Sequence, residues 1–108
     1  MANLQMEFIE AGSGAVPDPG QIVVVHYTGW LQDGTKFDSS VERNEAFEVA
    51  AGVGQVIAGW DIILVRMRVG DKVRATIPPE LGYGAGGVGG VIPANATLIF
   101  EIELVEVK

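Results

Sequence analysis

Several residue spacings in this chain match patterns that do chemistry, and most fail on their surroundings. Gly84-Ala85-Gly86-Gly87-Val88-Gly89 fits G-x-G-x-x-G, the pattern of a dinucleotide-binding turn. That turn needs a strand before it and a helix after it, whose N-terminal amides face the pyrophosphate. Here Val91-Ile92-Pro93-Ala94-Asn95 follows, and a proline leading into a new strand supplies no such helix. The glycines read instead as a loop that turns sharply and exposes its backbone. Acyl transfer has no better support: Ser13, Ser39 and Ser40 are the only serines, and none lies in a G-x-S-x-G elbow. Period two along its strand sets His26, the only histidine, on the side opposite Tyr27, so it reads as a packed, hydrogen-bonded strand residue. Asp33, Asp38 and Asp61 lack the spacing of a calcium loop. With no cysteine, disulfides, thiolate metal sites and cysteine nucleophiles are all excluded.

What remains is an apolar inventory. Tyr27, Phe37, Phe47, Trp60, Tyr83 and Phe100 are six of the eight aromatic residues. They fall at strand ends, on the inner face of a predicted helix and in a long loop. Periodicity alone reads them as core, with a ligand site as the other reading. Asp38, directly after Phe37, weighs against simple core, because an unpaired carboxylate beside a buried aromatic is costly.

The elements that must position these residues are mostly strands. Leu98, Phe100, Ile102 and Leu104 alternate with Ile99, Glu101, Glu103 and Val105, which predicts a strand with one wet face. Leu4, Met6 and Phe8 alternate similarly with Gln5 and Glu7, and Val73, Ala75 and Ile77 with Lys72, Arg74 and Thr76. Residues 21–31 form a longer β-branched run, and Asp33-Gly34 joins it to Thr35-Lys36-Phe37, predicting a hairpin over residues 21–38. Phe47 to Ala50 adds a short strand. Only residues 57–66 suit a helix, with Ile57, Trp60, Leu64 and Met67 on one face and Gly70-Asp71 closing the element. The fold class is α+β: about five or six antiparallel strands with one short amphipathic helix packed across them. Nine glycines and prolines between Pro78 and Pro93 mark a long loop, and such loops are usually functional.

Composition narrows the partners. A chain of 108 residues, 48% hydrophobic, fits a single domain over residues 1–108 with a real core. A net charge of −7 argues against a nucleic-acid binder, which needs a basic face. The apolar stretches are short and broken, so no membrane span is expected. The opening Met1-Ala2-Asn3-Leu4-Gln5 carries no basic stretch followed by an apolar run, which makes a cytoplasmic location the expectation.

Five blocks of sequence then carry a resemblance. They are His26-Tyr27-Thr28-Gly29, the run Asp33-Gly34-Thr35-Lys36-Phe37-Asp38-Ser39-Ser40, and Gly54-Gln55-Val56-Ile57-Ala58-Gly59-Trp60-Asp61. The other two are Ile77-Pro78-Pro79-Glu80-Leu81-Gly82-Tyr83-Gly84-Ala85 and Ile92-Pro93-Ala94-Asn95-Ala96-Thr97-Leu98. In order and spacing, from about residue 4 to the C-terminus, they are similar to FKBP-type (tacrolimus-binding) peptidyl-prolyl cis–trans isomerases. The resemblance implies a curved sheet wrapped around the short helix, with a pocket between them. Its walls would be Tyr27, Phe37, Phe47, Val56, Ile57, Tyr83, Ile92 and Phe100, with Trp60 as floor. Asp38 would sit at the rim with Arg43 as its ion-pair partner, and the Ile57 amide and Tyr83 hydroxyl would bond ligand carbonyls. The implied activity is rotation about X–Pro bonds in peptides and proteins, with no cofactor or metal, and the macrolides tacrolimus and rapamycin bind the same pocket. A second reading keeps the pocket without turnover, as a module that holds a macrolide or a protein partner.

The chain departs from the resemblance in places. Val88 stands where some relatives carry a histidine. Val49 and Ala51 replace a large aromatic and a leucine common in relatives, while Asp61-Ile62-Ile63-Leu64-Val65-Arg66-Met67 is bulkier than the usual helix. Small strand residues facing large helix residues predict a repacked core. With Trp60 inward, Ile62 lies about 200° and Val65 about 140° around the helix axis. That placement predicts an apolar outer patch next to Ile63, expected to serve weak self-association or a partner contact.

Overall fold

A computed structural model describes residues 4–108; Met1, Ala2 and Asn3, which open the segment read for a leader, lie outside it. Six strands form one antiparallel sheet: β1 (Gln5–Glu10), β2 (Ile22–Leu31), β3 (Lys36–Ser39), β4 (Phe47–Ala50), β5 (Lys72–Ile77) and β6 (Leu98–Val107). The order across the sheet is β1-β5-β6-β2-β3, with β4 also paired to β2. The predicted hairpin is present. Asp33 Oδ1 accepts the Thr35 amide at 2.9 Å, and Gly34 takes a φ of 92° that glycine adopts without strain.

β2 is the spine of the sheet. One edge pairs with β6 from Val23 to Leu31, while the other is shared: Ile22–Val25 pair with β4 and Thr28–Trp30 with β3. Between those stretches His26 and Tyr27 have no strand beside them on that edge. Ser40, fully buried, fills the gap: its Oγ accepts the Tyr27 amide at 2.8 Å and donates to the Tyr27 carbonyl at 3.3 Å. His26 Nδ1 lies 3.0 Å from the same hydroxyl, which makes it the hydrogen-bonded strand histidine expected. Ser40 opens a one-turn helix, α1 (Ser40–Arg43), that the sequence reading does not contain. Its signal was present in Ser39-Ser40-Val41-Glu42, an S-x-x-E cap: Ser39 Oγ accepts the Glu42 amide at 3.2 Å.

The predicted helix is α2 (Ala58–Leu64), which ends two residues short of the predicted boundary. Seven residues make no stable helix alone, and Ile57 offers no side-chain cap. Packing holds it. Ile63 and Leu64 are fully buried, each contributing about 1.5–3 kcal/mol relative to exposure. Gly59 permits the approach, since a Cβ there would lie 2.8 Å from Ile77 on β5. Facing the helix are Val23, Val25 and Tyr27 of β2 with Ile102 and Leu104 of β6, all in one cluster.

Two expectations need correction. The outer helical patch does not form: Ile63 is fully buried, Ile62 is half-buried, and Val65 packs against the core. Val65 is the residue after the last helical one, so the helical wheel does not extend to it. Phe8 does not share the half-buried face of Leu4 and Met6; it is 51% exposed, beside a register shift in the edge strand β1, which pairs with β5 again at Glu10.

Candidate functional site

Between α2 and the concave side of the sheet lies a cavity of about 460 Å³. Tyr27 reaches it from β2, Phe37 and Asp38 from β3, Phe47 from β4 and Phe100 from β6. Val56, Ile57 and Trp60 come from the start of α2 and the segment before it, and Tyr83 from the long loop. Nine of the eleven side chains named from sequence therefore converge. Strand pairing brings Tyr27, Phe37, Asp38, Phe47 and Phe100 to one end of the cavity's sheet wall, and α2 with its flanking segment and the long loop supply the other four.

The aromatic residues hold one another by their edges. Trp60 meets Tyr27 at 5.0 Å between ring centroids with planes 83° apart, and Phe100 at 5.3 Å and 85°. Phe37 stands perpendicular to Phe100 at 5.5 Å, and Phe47 packs 6.1 Å from Trp60. Such edge-to-face pairs contribute about 0.5–1.5 kcal/mol each beyond their buried area. Gly29 makes room for them. A Cβ there would lie 2.6 Å from the Phe37 ring and 2.8 Å from Phe100. Among the described residues the buried Trp60 indole N–H has no hydrogen-bond partner.

One polar constellation interrupts the apolar wall. Tyr27 donates its hydroxyl hydrogen to Asp38 Oδ2 at 2.5 Å, and Arg43 pairs with Asp38 Oδ1 while its second nitrogen donates to the Tyr27 hydroxyl at 3.2 Å. Burial pushes the Asp38 carboxyl up, but the Tyr27 hydrogen bond and the Arg43 guanidinium outweigh it and hold the group below its ordinary value of 3.8. Tyr27 moves the other way, raised by burial and by its bond to Asp38. Tyr83 is also raised, by burial and then by the Asp38 charge. Asp38 is thus ionised and Tyr27 and Tyr83 are protonated at neutral pH.

The remaining two candidates sit elsewhere. Arg43 does not line the cavity but stands behind the rim, its guanidinium 5.9 Å from the Tyr27 ring. Ile92, expected as a wall, does not line the cavity. It is buried in the core, and its amide and carbonyl both pair with Val88 at 2.8 Å, so it anchors the long loop instead. That bridge depends on Gly87, whose φ is 58° and where a Cβ would meet the Ile92 carbonyl at 2.3 Å. Gly54 and Gln55 line the cavity without having been named as site residues. Both lie inside a resembling block, but neither residue type announces a wall.

A short helix held in a six-stranded antiparallel sheet, with an aromatic cavity between them, is a fold shared with a solved relative. The crystal structure of AtFKBP13 superposes with a TM-score of 0.93 over 97% of this chain and 93% of that one, at 35% identity. The family model for FKBP-type peptidyl-prolyl cis-trans isomerases matches residues 14–105. An FK506-binding protein of Neisseria meningitidis (serogroup A / serotype 4A) is 52% identical over 107 residues, covering 99% of this chain and 98% of the relative. FK506-binding protein 1 of Saccharomyces cerevisiae is 48% identical over 107 residues (98% and 94%), and that of Dictyostelium discoideum 49% over 105 (97% and 98%). The chain belongs to the FKBP-type peptidyl-prolyl cis–trans isomerase family. Its activity is the family's: it accelerates rotation about X–Pro peptide bonds.

Proposed function

We propose that the aromatic cavity is where rotation occurs, and that it works by being dry. Planar X–Pro amides resist rotation with a barrier of roughly 18–20 kcal/mol, because the C–N bond has partial double-bond character. In the twisted transition state that resonance is lost and the carbonyl becomes less charge-separated. A site that excludes water therefore binds the twisted form better than the planar one. Each ~1.4 kcal/mol of that difference gives tenfold in rate. What carries the reading is a cavity walled by interlocked aromatic rings, whose one charged group is already paired at the rim.

In this reading the proline ring rests on Trp60 between Tyr27, Phe47 and Phe100, with Phe37, Val56 and Ile57 closing the sides. The Ile57 amide and the Tyr83 hydroxyl hold substrate carbonyls. Asp38, with Arg43 behind it, orients Tyr27 and seals the rim. Tacrolimus (FK506) and rapamycin occupy the same cavity, the clients are proline-containing segments of folding proteins, and the protein works in the cytoplasm. The relatives named for FK506 binding support the macrolide part of this reading. Its test is to titrate tacrolimus into a cis-to-trans assay on an X–Pro peptide. Inhibition should be complete and reach one equivalent per chain. Rapid turnover that persists under saturating tacrolimus would place catalysis outside the cavity.

A further inference from the structure

Asp61 follows Trp60 on α2 and spans from the helix to the segment before it. Its Oδ1 accepts the Gly52 amide at 3.0 Å and its Oδ2 accepts the Gly54 amide at 2.9 Å. Those amides flank Val53 in a turn where Gly52 and Gly54 take φ values of 75° and 83°, open to glycine and strained for other residues. Gly54 lines the cavity, and the chain runs on from it through Gln55, Val56 and Ile57, which all line it too. Gln55 Oε1 accepts the Ala50 amide at 2.9 Å, so the same segment is also pinned to β4. The carboxylate thus locks one wall of the cavity to the helix that carries its floor, while lining no part of the cavity itself.

We infer that Asp61 is a positioning residue for X–Pro isomerisation, acting through the Gly54–Ile57 wall. The inference rests on the cavity being the isomerase site. Both acceptor oxygens are required. An amide side chain offers one acceptor and turns its NH₂ donors toward the second backbone N–H, so one bond is lost and a repulsion is gained. Bonds to an ionised acceptor are the stronger kind, and a wall misplaced by about 1 Å can cost on the order of 10²-fold in rate.

The experiment compares the parent with Asp61→Ala and Asp61→Asn, with Asp71→Asn as a matched control. Asp71 clamps backbone in the same way, accepting the Gly12 amide at 2.6 Å and the Arg68 amide at 2.8 Å, and it does not line the cavity. Three quantities are read on folded protein: kcat/KM on an X–Pro peptide, tacrolimus affinity, and hydrogen exchange of the Gly52 and Gly54 amides. Asp61→Ala should lower kcat/KM and tacrolimus affinity about tenfold or more, and Asp61→Asn by a smaller factor. Both should speed exchange at Gly52 and Gly54, while Asp71→Asn leaves all three at the parent's values. Unchanged exchange at the two glycines would overturn the inference, as would an Asp71→Asn variant that loses as much kcat/KM as Asp61→Asn. Parent turnover that persists under saturating tacrolimus would contradict the proposed site instead, and the exchange and tacrolimus-affinity readings would still decide the role of Asp61.

Discussion

Asp38 sits where an apolar site meets solvent, and its two partners decide what it does there. The Tyr27 hydroxyl and the Arg43 guanidinium occupy its oxygens, so the carboxylate stays ionised without presenting an unpaired charge to the cavity. Its side chain is 38% exposed, so the pair with Arg43 is largely screened and adds little to stability. Phe100 is the opposite case: 3% exposed, touching Trp60, Tyr27 and Phe37 at once. Truncating it removes about 3–5 kcal/mol of stability and lets water into the site. Asp38→Asn keeps shape and one acceptor. On folded protein, therefore, Phe100→Ala should lower kcat/KM more than Asp38→Asn. The reverse order would mean that rim electrostatics outweigh dryness.

At the scale of elements, the unusual feature is how α2 meets the end of β4. Val49 and Ala51 are small and buried, Ile63 is large and buried, and all three belong to one core cluster. The bulk at this contact lies on the helix rather than on the strand. Val49→Phe alone should overpack, costing about 1–3 kcal/mol. Adding Ile63→Gly should return part of that loss, although glycine costs a helix about 1 kcal/mol itself. Denaturant unfolding of the four-member cycle checks this, and simple additivity would show that the side chains share no space. The same region shows what periodicity can and cannot carry. It placed Trp60 and Leu64 inward because they are helical. It misplaced Val65, which follows the last helical residue and whose direction is set by packing. The one-turn helix at Ser40 escaped because four residues complete barely one 3.6-residue turn, too few for a periodicity to show; only its cap announced it.

Across the whole molecule, the strands were legible because alternation is a local property; the cavity residues came from the resemblance, since periodicity alone reads the aromatic ones as core. The pairing was not legible. That β3 and β4 share one edge of β2, with Ser40 plugging the gap, depends on contacts between distant segments. The bridge between Ile92 and Val88, and the burial of Ile92, depend on such contacts too. The Asp61 clamp is likewise invisible in sequence, where an aspartate in a first helical turn is ordinary.

The central claim is that an isomerase works here without moving a proton, and the pH dependence of kcat/KM on an X–Pro peptide tests it most directly. Asp38 is the cavity's carboxylate. Its folded-state pKa is lowered, so the stability it contributes is present above its ordinary value of 3.8 and is lost as pH falls through the lower folded value. Tyr27 and Tyr83 are both raised from 10.0, so they keep their protons throughout the neutral range. The profile should therefore be flat from roughly pH 6 to 9 and fall only in strong acid, below the ordinary carboxylate range. A bell-shaped profile with a limb near neutrality would contradict this account and assign the rate to acid–base catalysis.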